Sequence, residues 1–157
     1  MMCAEQNEYI NALSKLSQEN VRYAVIGTFG LLAHGFSIDG YTVSDCDIIV
    51  DSSGTHLQQA WQILKDDGWE TFLWDVLITE FPSQESLKNK YYIRARRGHT
   101  TIDICYEHDS IDYAEWLERR RRIGEIYVAD SADIIELKRT NDREKDRALL
   151  AKLNLRT

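Results

Sequence analysis

The chain has 157 residues, 43% of them apolar and 29% charged, with a net charge of −7. Those values suit a single globular domain with a real core, and the acidic balance argues against nonspecific DNA binding as its main task. Cys3, Cys46 and Cys105 are too few and too widely spaced for a disulfide framework or a Cys-rich zinc site, and no apolar run approaches membrane length.

A lone proline, Pro82, and the absence of a Ser/Gly tract leave no obvious linker, so residues 1–157 are expected to form one domain. Its core is expected over about 20–106, with a mainly helical part over about 107–157. The N-terminus lacks the basic flank and apolar stretch of a signal peptide. The expected compartment is therefore a reducing cytoplasm, with no membrane association. Charge is unevenly spread: residues 1–93 hold 5 basic and 13 acidic side chains, residues 94–157 hold 14 and 13. An acidic half for metal and a basic half for phosphate would use such a split, as would ordinary solvated helices.

In chain order, Ile10, Leu13 and Leu16 or Ser17 set a helical period over about 4–19, with Asn20 as the stop. Val21 to Ile26 reads as a strand. Gly27-Thr28-Phe29-Gly30 follows, then a short helix from Leu31 to His34 ended by Gly35. Ser37 to Thr42, with Gly40, reads as loop. Val43 and Ile48-Ile49-Val50 then mark a buried strand that carries Asp45 and Asp47. Leu57, Ala60, Trp61 and Leu64 give an amphipathic helix, with Gly68 just past its end. One or two strands are expected over Trp69 to Phe81. Tyr91 to Arg96 and Thr100 to Tyr106 read as a hairpin around Arg97-Gly98-His99. The remainder reads as a helix from Ile111 to Arg122, a short strand from Glu125 to Val128, and helices over Ser131 to Arg139 and Arg143 to Leu153. The hairpin argues against a purely parallel sheet. The expected class is α+β (mixed α/β), with helices flanking a mixed sheet.

Side chains alternate across a strand, so Asp45 and Asp47 share a face. Two carboxylates so close repel unless a cation lies between them, and Mg²⁺ or Mn²⁺ takes carboxylate oxygens together with substrate phosphates. The plain alternative is a strand mouth whose acids face water. A third acid, Asp103, projects from a strand opposite Ile102 and Ile104, so it belongs to a solvent edge or to a site. Gly27-Thr28 sits at a strand-to-helix junction, a place that favours phosphate but that also recurs for purely structural reasons.

In this order the elements resemble the nucleotidyltransferase superfamily with the DNA polymerase β-like fold. Its Gly-Gly or Gly-Ser, Asp-x-Asp and later third acid are matched here by Gly27-Thr28, Asp45-Cys46-Asp47 and Asp103. The likeness extends to small bacterial AbiEii-type and minimal nucleotidyltransferases. It is carried there by Asp133-Ile134-Ile135-Glu136-Leu137-Lys138 and by Arg143-Glu144-Lys145-Asp146, and it covers about residues 20–153. The resemblance implies Mg²⁺-dependent transfer of a nucleoside monophosphate from an NTP to an acceptor hydroxyl, with release of pyrophosphate. Asp45, Asp47 and Asp103 would be the catalytic and metal-binding acids. Gly27, Thr28 and Lys138 would bind the nucleotide, with Lys145 and Asp146 in support. The acceptor could be a protein, an RNA such as tRNA, or a small molecule such as an aminoglycoside or lincosamide. The resemblance also admits an antitoxin paired with a cognate toxin, or a catalytically silent nucleotide-binding module. Two positions depart from the pattern. Thr28 brings a methyl that narrows the phosphate approach, and Leu149 stands where an acid is often found.

Other residues carry plainer readings. Arg119 to Arg122 suit a solvated helix end better than a grip on an acceptor, His34 suits a packed or surface place better than a base, and His99 decorates its turn. Cys46 and Cys105 read as inert strand residues. Trp61, Trp69, Trp74 and Trp116 read as core or packing residues rather than a base-stacking platform.

Overall fold

The computed structural model describes residues 4–38 and 43–154, so residues 39–42 of the expected loop, Gly40 among them, and Cys3 lie outside the described residues. The first half comprises α1 (Ala4–Gln18), β1 (Tyr23–Ile26), α2 (Gly27–Ala33), β2 (Cys46–Val50), α3 (His56–Asp66), β3 (Glu70–Leu73), β4 (Val76–Ile78) and α4 (Gln84–Leu87). The second comprises β5 (Tyr92–Arg97), β6 (Thr100–Cys105), α5 (Tyr113–Arg119), β7 (Arg121–Ile123), β8 (Ile126–Val128), α6 (Ser131–Asn141) and α7 (Glu144–Asn154).

The strands form one mixed sheet in the order β4-β3-β5-β6-β2-β1-β8-β7. The β2/β6 and β1/β8 pairs are parallel and the others antiparallel, which makes the class α+β. Every residue of β1 is buried, as a central strand of apolar and β-branched side chains requires. Helices α1 and α3 cover one face of the sheet. Their Tyr9, Leu13, Leu16, Ala60, Trp61 and Leu64 stripes are buried, and Ile93, Ala95, Ile102 and Ile104 are buried with them. Polar ties pin this layer. Trp61 donates to Thr71 Oγ1 (2.8 Å), and Arg97 reaches Asp67 (3.1 Å) at the end of α3. At the other end, α2 packs against β1, β2 and α6, and α6 against α7.

Several expectations need correction. The second helix begins at Gly27 rather than Leu31, so no separate loop precedes it. Asp45 lies one residue before β2 rather than inside it. The single turn of α4 was not expected; Ser83 caps it by accepting from the Ser86 N–H. Helix α5 stops at Arg119, three residues early, because Gly124 at φ +61° closes a tight β7–β8 hairpin. The arginine run is therefore not a solvated helix end. Arg119 grips Asp133 with two 2.9 Å bonds, while Arg120 donates to the Tyr23 carbonyl (2.9 Å) and lies 4.0 Å from the Tyr127 ring. Trp61, Trp69 and Trp116 are buried, but Trp74 is 49% exposed, held in the β3–β4 turn by its N–H bond to the Lys90 carbonyl. His34 packs as read, donating to the Ala129 carbonyl (2.7 Å). Among the described residues no helix is long and apolar enough to cross a membrane.

Tyr23 is a polar pin between α1 and the sheet. Its buried hydroxyl donates to the Leu13 carbonyl (3.0 Å), accepts from the Tyr127 N–H (3.2 Å) and lies 2.7 Å from Ser17 Oγ. Tyr23→Phe leaves those groups short of a partner and should cost about 1–3 kcal/mol. The urea midpoint should fall with an unchanged slope; an unchanged midpoint would show that water or a local shift replaces the hydroxyl.

Candidate active site

Strand β2 runs parallel to β6 with Asp47 directly opposite Asp103. The partners Ile48 and Ile104, one residue on, face the buried side, so the two aspartates face the other way. Asp45, two residues before Asp47, joins them. One carboxylate oxygen from each of the three lies within 4.8 Å of the others. Asp103 is 8% exposed, and Asp45 and Asp47 are half-buried.

The three charges are compensated unequally. Arg94, opposite Asp103 on β5, forks onto it through Nε–H to Oδ1 (2.8 Å) and Nη2–H to Oδ2 (3.0 Å). Among the described residues Asp47 has no such partner. Burial, then Asp45, then Asp103 push its pKa from the usual 3.8 up to about 7, against the opposing pull of Lys138 and Lys145. Hard oxygen donors with an unmet negative charge fit Mg²⁺ or Mn²⁺.

Gly27 is where backbone geometry and the acids meet. At φ +70° it adopts a conformation that few L residues tolerate, and an added Cβ would lie 3.0 Å from Asp47 Oδ2. Thr28 follows, its Oγ1 accepting from Lys138 Nζ at 3.1 Å. Lys138 on α6 is only 7% exposed, and 3.8 Å away is Asp146 of α7, 1% exposed. Arg143 fixes Asp146 in turn, through Nε at 2.7 Å and its backbone N–H at 3.3 Å. Burial alone would raise the Asp146 pKa, but Arg143 and then Lys138 hold it below the ordinary carboxylate range. Burial lowers Lys138, with Asp146 opposing. Asp142, at φ +49°, breaks the helix between α6 and α7, so Lys138 and Asp146 meet from two helices rather than along one stripe.

One cavity of about 600 Å³ collects these groups. The acids Asp45, Asp47 and Asp103 line it together with the cations Lys138, Arg143 and Lys145. Every residue singled out from the sequence as catalytic, nucleotide-binding or supporting lines this cavity. Asp146 does so as a buried anchor for Lys138 and Arg143, and Lys145 as an exposed wall residue. Leu149, the departure from the family pattern, is a buried apolar part of the lining. The sequence reading gave Arg143 no role of its own and missed Arg94, Tyr92 and His108. Arg94 was within reach: counting back from the Gly98-His99 turn pairs Arg97 with Thr100 and hence Arg94 with Asp103. The arginine run expected at a helix end lies elsewhere, with Arg22, Glu115 and Glu118 as neighbours of Arg119 in a shallow groove.

No family profile and no curated protein matches the chain. Among solved structures it is similar to JHP933 from Helicobacter pylori, with a TM-score of 0.48 and 11% identity over 88% of this chain and 57% of that one. It is also similar to a candidate nucleotidyltransferase from H. pylori, with a TM-score of 0.46 and 14% identity over 85% of this chain and 56% of that one. The chain spans just over half the length of either protein.

The raised Asp47 pKa has a stability consequence. In metal-free protein the folded state holds this proton up to about pH 7, whereas the unfolded chain releases it near 3.8. The contribution is full below the unfolded value and is lost as pH rises through about 7. Asp47→Asn should remove that loss and raise neutral-pH stability by an amount on the order of 1–4 kcal/mol. Thermal melts in chelator between pH 4 and 8 check this. A mutant that melts below its parent at pH 8 would contradict the repulsion.

Proposed function

We propose that this chain is a divalent-metal-dependent nucleotidyltransferase, moving a nucleoside monophosphate from an NTP to an acceptor hydroxyl. The observation that carries the reading is the meeting, in one cavity, of three clustered carboxylates and a buried, aimed lysine. A triphosphate needs both, since its oxygens must be neutralised by metal and by fixed cations.

Asp45, Asp47 and Asp103 are the residues that would hold Mg²⁺ or Mn²⁺, which when bound neutralises the triphosphate and draws the reacting oxygens together. In the transfer, the acceptor oxygen forms a bond to the α-phosphorus. The bond from that phosphorus to the oxygen bridging it to the β-phosphate breaks, and pyrophosphate leaves with the electron pair. Asp103 is held in register by Arg94, and each of its oxygens keeps a lone pair for metal or for the acceptor's proton. Lys138 spends one N–H on Thr28 and faces Asp146 with another, which leaves a third donor for a phosphate oxygen. Gly27 leaves room beside Asp47 that any side chain would fill. Half-buried Tyr92 and His108 line the cavity with Asp103 and would border the acceptor. The free thiols of Cys46 and Cys105 suit a reducing cytoplasm.

Calorimetric titration with each of the four Mg-NTPs tests the assignment. The parent should bind at least one of them, and Asp45→Asn should abolish the signal. Lys138→Ala should weaken it by about 1–3 kcal/mol, the range for a charge-assisted hydrogen bond. Replacing Arg121 and Arg122, on the far edge strand, by Gln should change nothing. Equal binding by all three variants would refute the site. Tight nucleotide binding without transfer of labelled α-phosphate to any acceptor would make the chain a silent nucleotide-binding module instead.

A further inference from the structure

The two edges of the sheet are guarded differently. At one, β7 presents exposed Arg121 and Arg122, and charge of that kind keeps other strands away. At the other, β4 reads Val76-Leu77-Ile78, with no charge in it. Val76 is 66% exposed and Leu77 51%. Trp74, in the turn before β4, is exposed as well, and so is Tyr91, next to the Lys90 carbonyl that holds Trp74. Among the described residues these four are the exposed large apolar side chains, and all stand at this one edge. Single exposed apolar residues are ordinary; a cluster of them on an unpaired strand marks a contact surface.

Backbone bonding narrows the occupant. Leu73 and Val76 close the Trp74-Asp75 turn as a pair, so Val76 and Ile78 spend their N–H and C=O on β3. Alternation leaves the N–H and C=O of Leu77 directed away from the sheet. The open stretch is short. It ends at the Trp74 turn on one side and at Lys65, whose Nζ donates to the Thr79 carbonyl, on the other. A second copy turned antiparallel about Leu77 matches it, because Leu77 N–H then meets Leu77 C=O in both directions. That register sets Val76 across from Ile78 of the second copy and Trp74 across from Glu80. Lys90 Nζ lies 4.3 Å from the Trp74 ring, so each copy brings a cation to where the other brings a carboxylate. Among the described residues neither Lys90 nor Glu80 has an ion-pair partner within its own chain. The edge thus carries both halves of its own match in hydrogen bonds, apolar contact and charge.

We infer that β4 is the seam of a homodimer, in which two copies pair antiparallel through Leu77 and carry the sheet from one chain into the next. The inference is independent of nucleotide binding, since β4 lies three strands from the Asp103 strand. A three-residue strand and the side chains around it bury an area at the low end for specific pairs. The dimer is therefore a weak one, dissociating at concentrations on the order of micromolar or above.

Sedimentation velocity of the full chain over about 1 to 100 μM tests it. The sedimentation coefficient should rise with concentration from that of a monomer to that of a dimer and no further, because a twofold pair uses up the edge. Leu77→Lys sets two ammonium groups face to face across the axis and should leave a monomer throughout. Its thermal melt should match the parent's, since the side chain is exposed. Glu80→Lys and Lys90→Glu should each weaken the dimer several-fold, and the two together should restore it. A parent that stays monomeric at the highest concentration overturns the inference and leaves the edge to a partner other than its own copy. So does an association that Leu77→Lys leaves intact, or one that grows past a dimer. A double reversal that dimerises no better than the single ones overturns the pairing through Leu77.

Discussion

Asp47 and Asp103 stand directly across a parallel strand pair, and most of the site's construction answers the repulsion that this register creates. A one-residue slip of β2 against β6 would turn Asp47 toward the core and expose Ile48, so burial of the opposite face fixes the pairing. The carboxylates are therefore held together by the hydrophobic core, at an electrostatic cost that the core overcomes. Arg94 compensates Asp103 from the neighbouring strand. Among the described residues no equivalent cation forks onto Asp47, and burial with the neighbouring Asp45 and Asp103 pushes its pKa up.

The basic side of the cavity shows a complementary economy. A buried lysine loses hydration and would shed its charge unless paired. Asp146 keeps Lys138 charged, and Arg143 keeps Asp146 in place, so a chain of ion pairs ends in one ammonium aimed past Thr28. The Thr28 hydroxyl accepts from Lys138 and so orients the lysine.

Much of this was legible in the sequence because it rests on short periods. Strand alternation was enough to put Asp45 and Asp47 on one face and Asp103 opposite two isoleucines. The helix and hairpin boundaries followed from apolar spacing and from Gly68 and Gly98-His99. Long-range pairing was not legible. Nothing local says that β2 lies beside β6 rather than another strand, so the partnership of Asp47 with Asp103 had to be borrowed from a family resemblance. The arginine run misled because four cations after a helical pattern resemble a helix end, whereas Gly124 turns the chain into a hairpin and Tyr23 and Tyr127 capture Arg120. Trp74 misled for a related reason: large apolar residues are mostly buried, but its φ of +56° in the β3–β4 turn turns it outward.

The proposed chemistry depends most directly on metal occupying the space among the three aspartates. Crystals of the full chain soaked with Mn²⁺ and a non-hydrolysable NTP, measured at the manganese absorption edge, address this without reference to activity. The account predicts anomalous density within coordination distance of Asp45, Asp47 and Asp103, next to the phosphates. Nucleotide density with Asp103 still forked to Arg94 and no manganese among the acids would contradict it.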